Sequence, residues 1–155
     1  MISNSCSYTS DFEIEQTPNL LFQLFTPEEE KLWVPGWDYE NIMGTLDIHE
    51  DYIFLTKSHD HAANDAIWIV KKYLPEEFLV QYYRVEPQEK VGIITIRCDP
   101  VDNKRTRVFV TYKYFGLSES GNNFIQNFTQ EDYDSYIENW KYLIESYYLK
   151  GESVV

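Results

Sequence analysis

Basic side chains are scarce in this chain: 13 Lys and Arg stand against 26 Asp and Glu, a formal net charge of −13. A nucleic-acid backbone or an anionic lipid surface would be repelled at long range, so neither is expected as a partner. No apolar run approaches the roughly 18 residues that span a bilayer, and the opening MISNSCSYTSDFEIE lacks the basic and apolar segments of a secretory signal. Membrane insertion is therefore not expected, and a cytoplasmic location is. Cysteine is limited to Cys6 and Cys98, too few for a disulfide framework at this length, so both read as reduced thiols within strands. Gly and Pro number six each, which argues against a disordered chain. GxGxxG, phosphate-loop, GxSxG and HExxH patterns are all missing, so no motif names an enzyme class or implies a cofactor.

What is abundant is aromatic: 17% of the 155 residues are Phe, Trp or Tyr. A chain of this length is expected to form one domain, residues 1–155, burying roughly two-thirds of its unfolded surface. Ser7–Ile14 alternates as a strand. Thr17-Pro18 supplies a cap and a first-turn proline for a short helix through Phe25, and Thr26-Pro27 repeats the device, with Glu29 placed to reach back to the Thr26 cap. Pro35 and Gly36 end that second short helix. Glu28, Glu29 and Glu30 fall in its first turn, where the helix macrodipole accounts for them.

From Trp37 the period becomes two. Strands are expected over Tyr39–Asp47, Tyr52–Ser58, Ala66–Tyr73, Phe78–Val85, Val91–Cys98 and Arg105–Phe115, joined by connectors of hairpin length, such as Glu86-Pro87-Gln88-Glu89, into an antiparallel meander. After Gly121-Asn122-Asn123 one long amphipathic helix closes the chain. Thr129 is its cap with Asp132 three residues on, Tyr133, Tyr136, Ile137, Trp140, Leu143, Ile144 and Tyr147 form its stripe, and Lys150-Gly151 is its end.

The order strand, two short helices, six-strand meander, long C-terminal helix resembles the START-like, or SRPBCC, superfamily. The stretches Phe25–Glu30 with Trp33-Val34-Pro35-Gly36-Trp37, and Gly116–Asn122, are similar to one bacterial branch of it, related to polyketide cyclases and heat-shock co-chaperone activators. The resemblance implies an α+β helix-grip fold, a curved antiparallel sheet wrapped around the C-terminal helix with an apolar cavity between them. It implies a protein that holds a hydrophobic or amphipathic small molecule, a lipid or polyketide for example. Two alternatives stay open under the same resemblance: a cyclase or dehydratase acting in that cavity, and a co-chaperone-like module binding protein through its surface.

Trp37, Trp68, Tyr82, Tyr112, Tyr114 and Trp140 are the aromatics expected nearest the cavity, as wall or as filler, with Trp33 beside Trp37 at its mouth. Arg84 shares a strand face with Phe78, Val80 and Tyr82, so it either points inward, where it would need an acidic partner, or reaches solvent at the strand end. Lys72 is ambiguous in the same way beside Trp68 and Val70. These eight residues, Trp33, Trp37, Trp68, Tyr82, Arg84, Tyr112, Tyr114 and Trp140, are the candidate ligand-binding set. His59-Asp60-His61 has ligand types that suit zinc, but it sits in a polar connector, and no metal is expected.

Overall fold

The structure, a computed structural model, describes residues 4–57 and 65–153. The His59-Asp60-His61 connector lies outside them. Seven strands form one antiparallel sheet: β1 (Ser5–Ile14), β2 (Tyr39–Glu40), β3 (Ile53–Thr56), β4 (Ala66–Leu74), β5 (Leu79–Glu86), β6 (Lys90–Pro100) and β7 (Thr106–Gly116). Their order is β1-β7-β6-β5-β4-β3-β2. Strands β2 to β7 follow one another as hairpins, and β1 closes the sheet by pairing along β7 from Ser5 with Phe115 to Ile14 with Thr106. Helix α1 (Pro18–Leu21) and two 3-10 turns, Phe22–Phe25 and Glu29–Leu32, follow β1, then α2 (Glu119–Asn127) and α3 (Gln130–Ser153) close the chain.

Strand alternation decides what is buried. In β6, Gly92, Ile94, Ile96 and Cys98 face inward, and in β7, Val108, Val110, Tyr112 and Tyr114 do. The curved sheet lays this face on α3, whose Tyr133, Ile137 and Ile144 are almost wholly buried. Helical spacing puts these on one stripe. Thr129 and Asp132 form the reciprocal cap expected at the start of α3: each side chain accepts the other's backbone N–H at 3.1 Å. Burial pushes the free Cys98 thiol up to about 12, so it is a structural thiol.

Several local expectations are corrected. The strand expected over Tyr39–Asp47 stops at Glu40, and the chain then turns through Gly44 at a φ of 75°. Thr26 does not cap a helix; its hydroxyl donates to the Gln23 carbonyl at 2.9 Å. Of the two readings open for Lys72, the solvent-facing one holds, because a bulge between Val70 and Lys72 shifts the alternation. Helix α3 runs past Gly151 to Ser153.

Helix α2 was not expected, and it explains the Gly116–Asn122 stretch. Ser118 caps it by accepting the Gly121 N–H at 3.1 Å. A Cβ at Gly116 would lie 1.9 Å from Asn122 Oδ1, and one at Gly121 would lie 1.7 Å from the Glu89 carbonyl oxygen. Both glycines let α2 dock directly on the β5–β6 turn and the end of β7.

Candidate functional site

The short turn Glu29–Leu32 is a 3-10 helix, in which residues three apart eclipse one another, so Glu30 and Trp33 share a side. The Val34 N–H returns to the Glu30 carbonyl at 2.9 Å, and Gly36, with a φ of 72°, turns the chain so that Trp37 lines the same cavity as Trp33. Three of the four indole N–H groups in this region are tied to the protein: Trp33 to the Leu24 carbonyl at 2.7 Å, Trp37 to the Pro27 carbonyl at 2.8 Å, and Trp68 to Thr56 Oγ1 at 3.0 Å. The rings are thereby locked with their faces, and not their donors, available. From α3, Trp140 stacks on Phe25 at 6.0 Å and meets Trp33 edge-on at 5.7 Å.

These rings enclose a cavity of about 170 Å³ between the sheet and α3. All four tryptophans of the chain line it, with Tyr82, Arg84 and Tyr112. Seven of the eight candidate residues are thus brought together. Tyr114 is not among them: Phe124, at 5.5 Å, and Phe128, at 6.1 Å, cover its ring and seal that end of the sheet. The unexpected α2 places both. Glu30, Val34, Thr56, Ile94, Ile96 and Tyr136 complete the lining and were not anticipated.

Arg84 does point inward. Along β5 the inward row is Val80, Tyr82, Arg84 and Glu86, and across the ladder Arg84 stands between Trp68 and Gly92. Its guanidinium lies 5.4 Å over the Trp68 ring. Gly92 contributes no side chain, and the space it leaves is already tight, since a Cβ there would sit 3.1 Å from Tyr114. The guanidinium is 4.0 Å from Glu86, but Glu86 is itself held at 2.9 Å by the buried Lys90 ammonium. Among the described residues, Arg84 Nε is buried with no hydrogen-bond partner. Such an orphan donor is rare in a folded chain.

Glu30 is the second unmatched group. Among the described residues its carboxyl has no hydrogen bond or ion pair, and loss of water in the cavity pushes its pKa up to about 8. Its neighbour Glu28 is different, because it accepts the Tyr39 hydroxyl at 2.6 Å and pairs with Lys31 at 3.1 Å. The macrodipole role assigned to all three glutamates therefore misses Glu30. Its signal in the sequence was the three-residue step to Trp33. The Tyr82 hydroxyl is committed to the Phe25 carbonyl at 2.6 Å, and burial holds Tyr82 and Tyr112 well above the ordinary phenol range. Both are neutral phenols near neutral pH.

No protein-family model matches the chain, and no curated protein does either. Solved structures do. Norcoclaurine synthase from Thalictrum flavum in complex with dopamine and hydroxybenzaldehyde matches 93% of this chain and 88% of its own, at 12% identity and a TM-score of 0.66. A point mutant of that enzyme with a transition-state analogue matches 98% and 99%, at 12% identity and a TM-score of 0.71. Major latex-like protein 151 from Panax ginseng matches 92% and 96%, at 15% identity and 0.68. The chain has the helix-grip fold of these proteins. Identities this low carry the fold and not the activity. Among described residues of this helix-grip chain, no group of His, Cys, Asp or Glu could hold a metal, and no helix is long and apolar enough to cross a membrane.

Proposed function

We propose that this helix-grip protein binds a small molecule bearing one aromatic ring in the cavity between the sheet and α3. The observation that carries the reading is that every tryptophan of the chain lines one space, with three indole N–H groups already bonded to protein. Faces locked in this way offer stacking and edge contacts to a flat guest.

Size restricts the guest. A volume of about 170 Å³ is below the roughly 300 to 1,000 Å³ of sites for drug-sized ligands, and close to the roughly 150 Å³ of an apolar cavity that takes up benzene. A lipid or polyketide chain is therefore a poor fit, and a single ring is a good one. The fold relative captured with dopamine and hydroxybenzaldehyde holds molecules of that size class, which supports the same reading here.

Titration calorimetry with benzyl alcohol tests it, and quenching of tryptophan emission gives a second readout. Saturable binding that disappears in Trp140→Ala is expected. Absence of binding by benzyl alcohol and by charged single-ring probes alike would refute the proposal.

A further inference from the structure

Two charged side chains at the aromatic cavity have atoms without a hydrogen-bond partner among the described residues. One is basic, Arg84 Nε, and the other acidic, the Glu30 carboxyl. They do not pair with each other among the described residues. Burying a group without a partner costs free energy, as Arg84 Nε does, and the half-buried Glu30 carboxyl faces the same void with no protein partner among the described residues, so a guest that supplies both partners fits the site. A neutral ring would leave both unmatched. A simple anion would satisfy Arg84 alone, and a simple amine Glu30 alone.

Resting on the reading that the cavity holds a single-ring guest, we infer that this guest is a zwitterion, with its cationic amine against Glu30 and its anionic group against Arg84. The surroundings suit both ends. Trp33 eclipses Glu30 on the 3-10 turn, and an ammonium there gains the negative faces of the indoles in addition to the carboxylate. At the other end a guanidinium fork donates to a carboxylate in a planar, directed way. Its other neighbour, Glu86, is already engaged with Lys90, so Arg84 keeps capacity for a second acid.

Proton linkage sharpens the assignment. The other ionisable groups facing the cavity are Tyr82 and Arg84 from β5, Tyr112 from β7 and Tyr136 from α3. Arg84 is permanently cationic, and burial holds Tyr82 and Tyr112 as neutral phenols. Glu30, with its pKa pushed up to about 8, is mostly protonated at neutral pH. An amine bound against it would draw out that proton.

The test is calorimetry on four probes that share one ring: benzyl alcohol, benzoate, benzylamine and phenylglycine. Phenylglycine is expected to bind tightest, by about tenfold over either singly charged probe. Glu30→Gln should lower phenylglycine to the level of benzoate, and Arg84→Met should lower it to the level of benzylamine, with Arg84→Lys in between. Benzyl alcohol serves as the control for folding, because each variant should still bind it saturably, with a change in affinity smaller than that for phenylglycine. At about pH 7, titrations in buffers of different ionisation heat should show release of roughly one proton per bound benzylamine, and none in Glu30→Gln. If benzyl alcohol binds but phenylglycine binds no tighter, or Glu30→Gln leaves the order of affinities intact, the inference is wrong while the aromatic cavity stands. If no probe binds, the cavity reading fails and takes the inference with it.

Discussion

The two ends of the sheet's inner face are built from the same materials and finished differently. At the α2 end, Tyr114 lies under Phe124 and Phe128, the Lys90 ammonium sits 4.0 Å over the Phe124 ring and 2.9 Å from Glu86, and the Tyr8 hydroxyl bonds the Phe128 carbonyl at 2.6 Å. Rings fill the space and every charge there has a partner. At the tryptophan end the rings stand around a void, and among the described residues the Glu30 carboxyl and Arg84 Nε have no hydrogen-bond partner. Buried polar groups belong to the fold when they are satisfied and point to a ligand when they are not. Aromatic content alone would not have separated the two.

The comparison breaks if damage to the closed end impairs binding, so the largest effect is aimed there. Gly121→Ala puts a Cβ 1.7 Å from the Glu89 carbonyl oxygen, and that oxygen is pinned by the Leu117 N–H at 2.8 Å. Neither backbone can yield cheaply, so a loss of about 4 kcal/mol in chemical denaturation is expected. Next is Lys90→Met, which leaves Glu86 buried with only Arg84 nearby, at 4.0 Å. Breaking a buried pair in this way should cost about 3 kcal/mol. The released Glu86 should then compete for Arg84, so benzoate affinity falls while benzyl alcohol affinity holds. A Lys90→Met protein that keeps full stability would show that the closed end is not closed by its ion pair.

On α3 the same contrast runs along one helix. Tyr133 is fully buried and its hydroxyl bonds the Val110 carbonyl at 2.5 Å, whereas Trp140, two turns on, is only partly buried and lines the void. Truncating a fully packed large aromatic costs about 3 to 5 kcal/mol. Trp140→Ala already faces empty space on one side and should cost about 2 kcal/mol while abolishing single-ring binding. A full core loss with binding intact would make Trp140 filler rather than wall.

How far these features could be read from the sequence depends on whether they are periodic. Strand alternation put Val80, Tyr82 and Arg84 on one face, and the helical stripe put Tyr133, Ile137 and Trp140 on another, so the elements and their faces followed from local pattern, whereas the helix-grip assembly came from the resemblance and the direction of Arg84 stayed open. Failures came where the pattern is broken or too short to see. The bulge at Val70/Lys72 shifts phase by one residue, which no propensity records. Glu86 and Lys90 look like a polar connector, yet they end their strands on the inner face and pair there. Helix α2 has few apolar residues and two asparagines after Gly121, so it read as a break. Glu28, Glu29 and Glu30 are identical in composition, and only the eclipsed geometry of a 3-10 turn decides which of them turns to the cavity.

Glu30→Gln is the smallest change, and its sign makes it informative. The folded protein holds the Glu30 carboxyl with a pKa of about 8, against roughly 4.3 for a glutamate in an unfolded chain. Between those values the native state binds the extra proton, so stability declines as pH rises through this window and levels off above it. Gln cannot ionise and removes the decline. The variant should match the parent near pH 4 and exceed it at about pH 9; each unit of pKa shift is worth about 1.4 kcal/mol, and water reaching the partly exposed residue reduces the total gain to about 2 kcal/mol. Denaturant midpoints measured for both proteins across this range check it. The same substitution should remove the amine preference of the cavity, so the protein would gain stability and lose selectivity together. Parallel pH profiles for the two proteins would mean that Glu30 is already solvated, and that the tryptophan end is open to water in the way an ordinary surface cleft is.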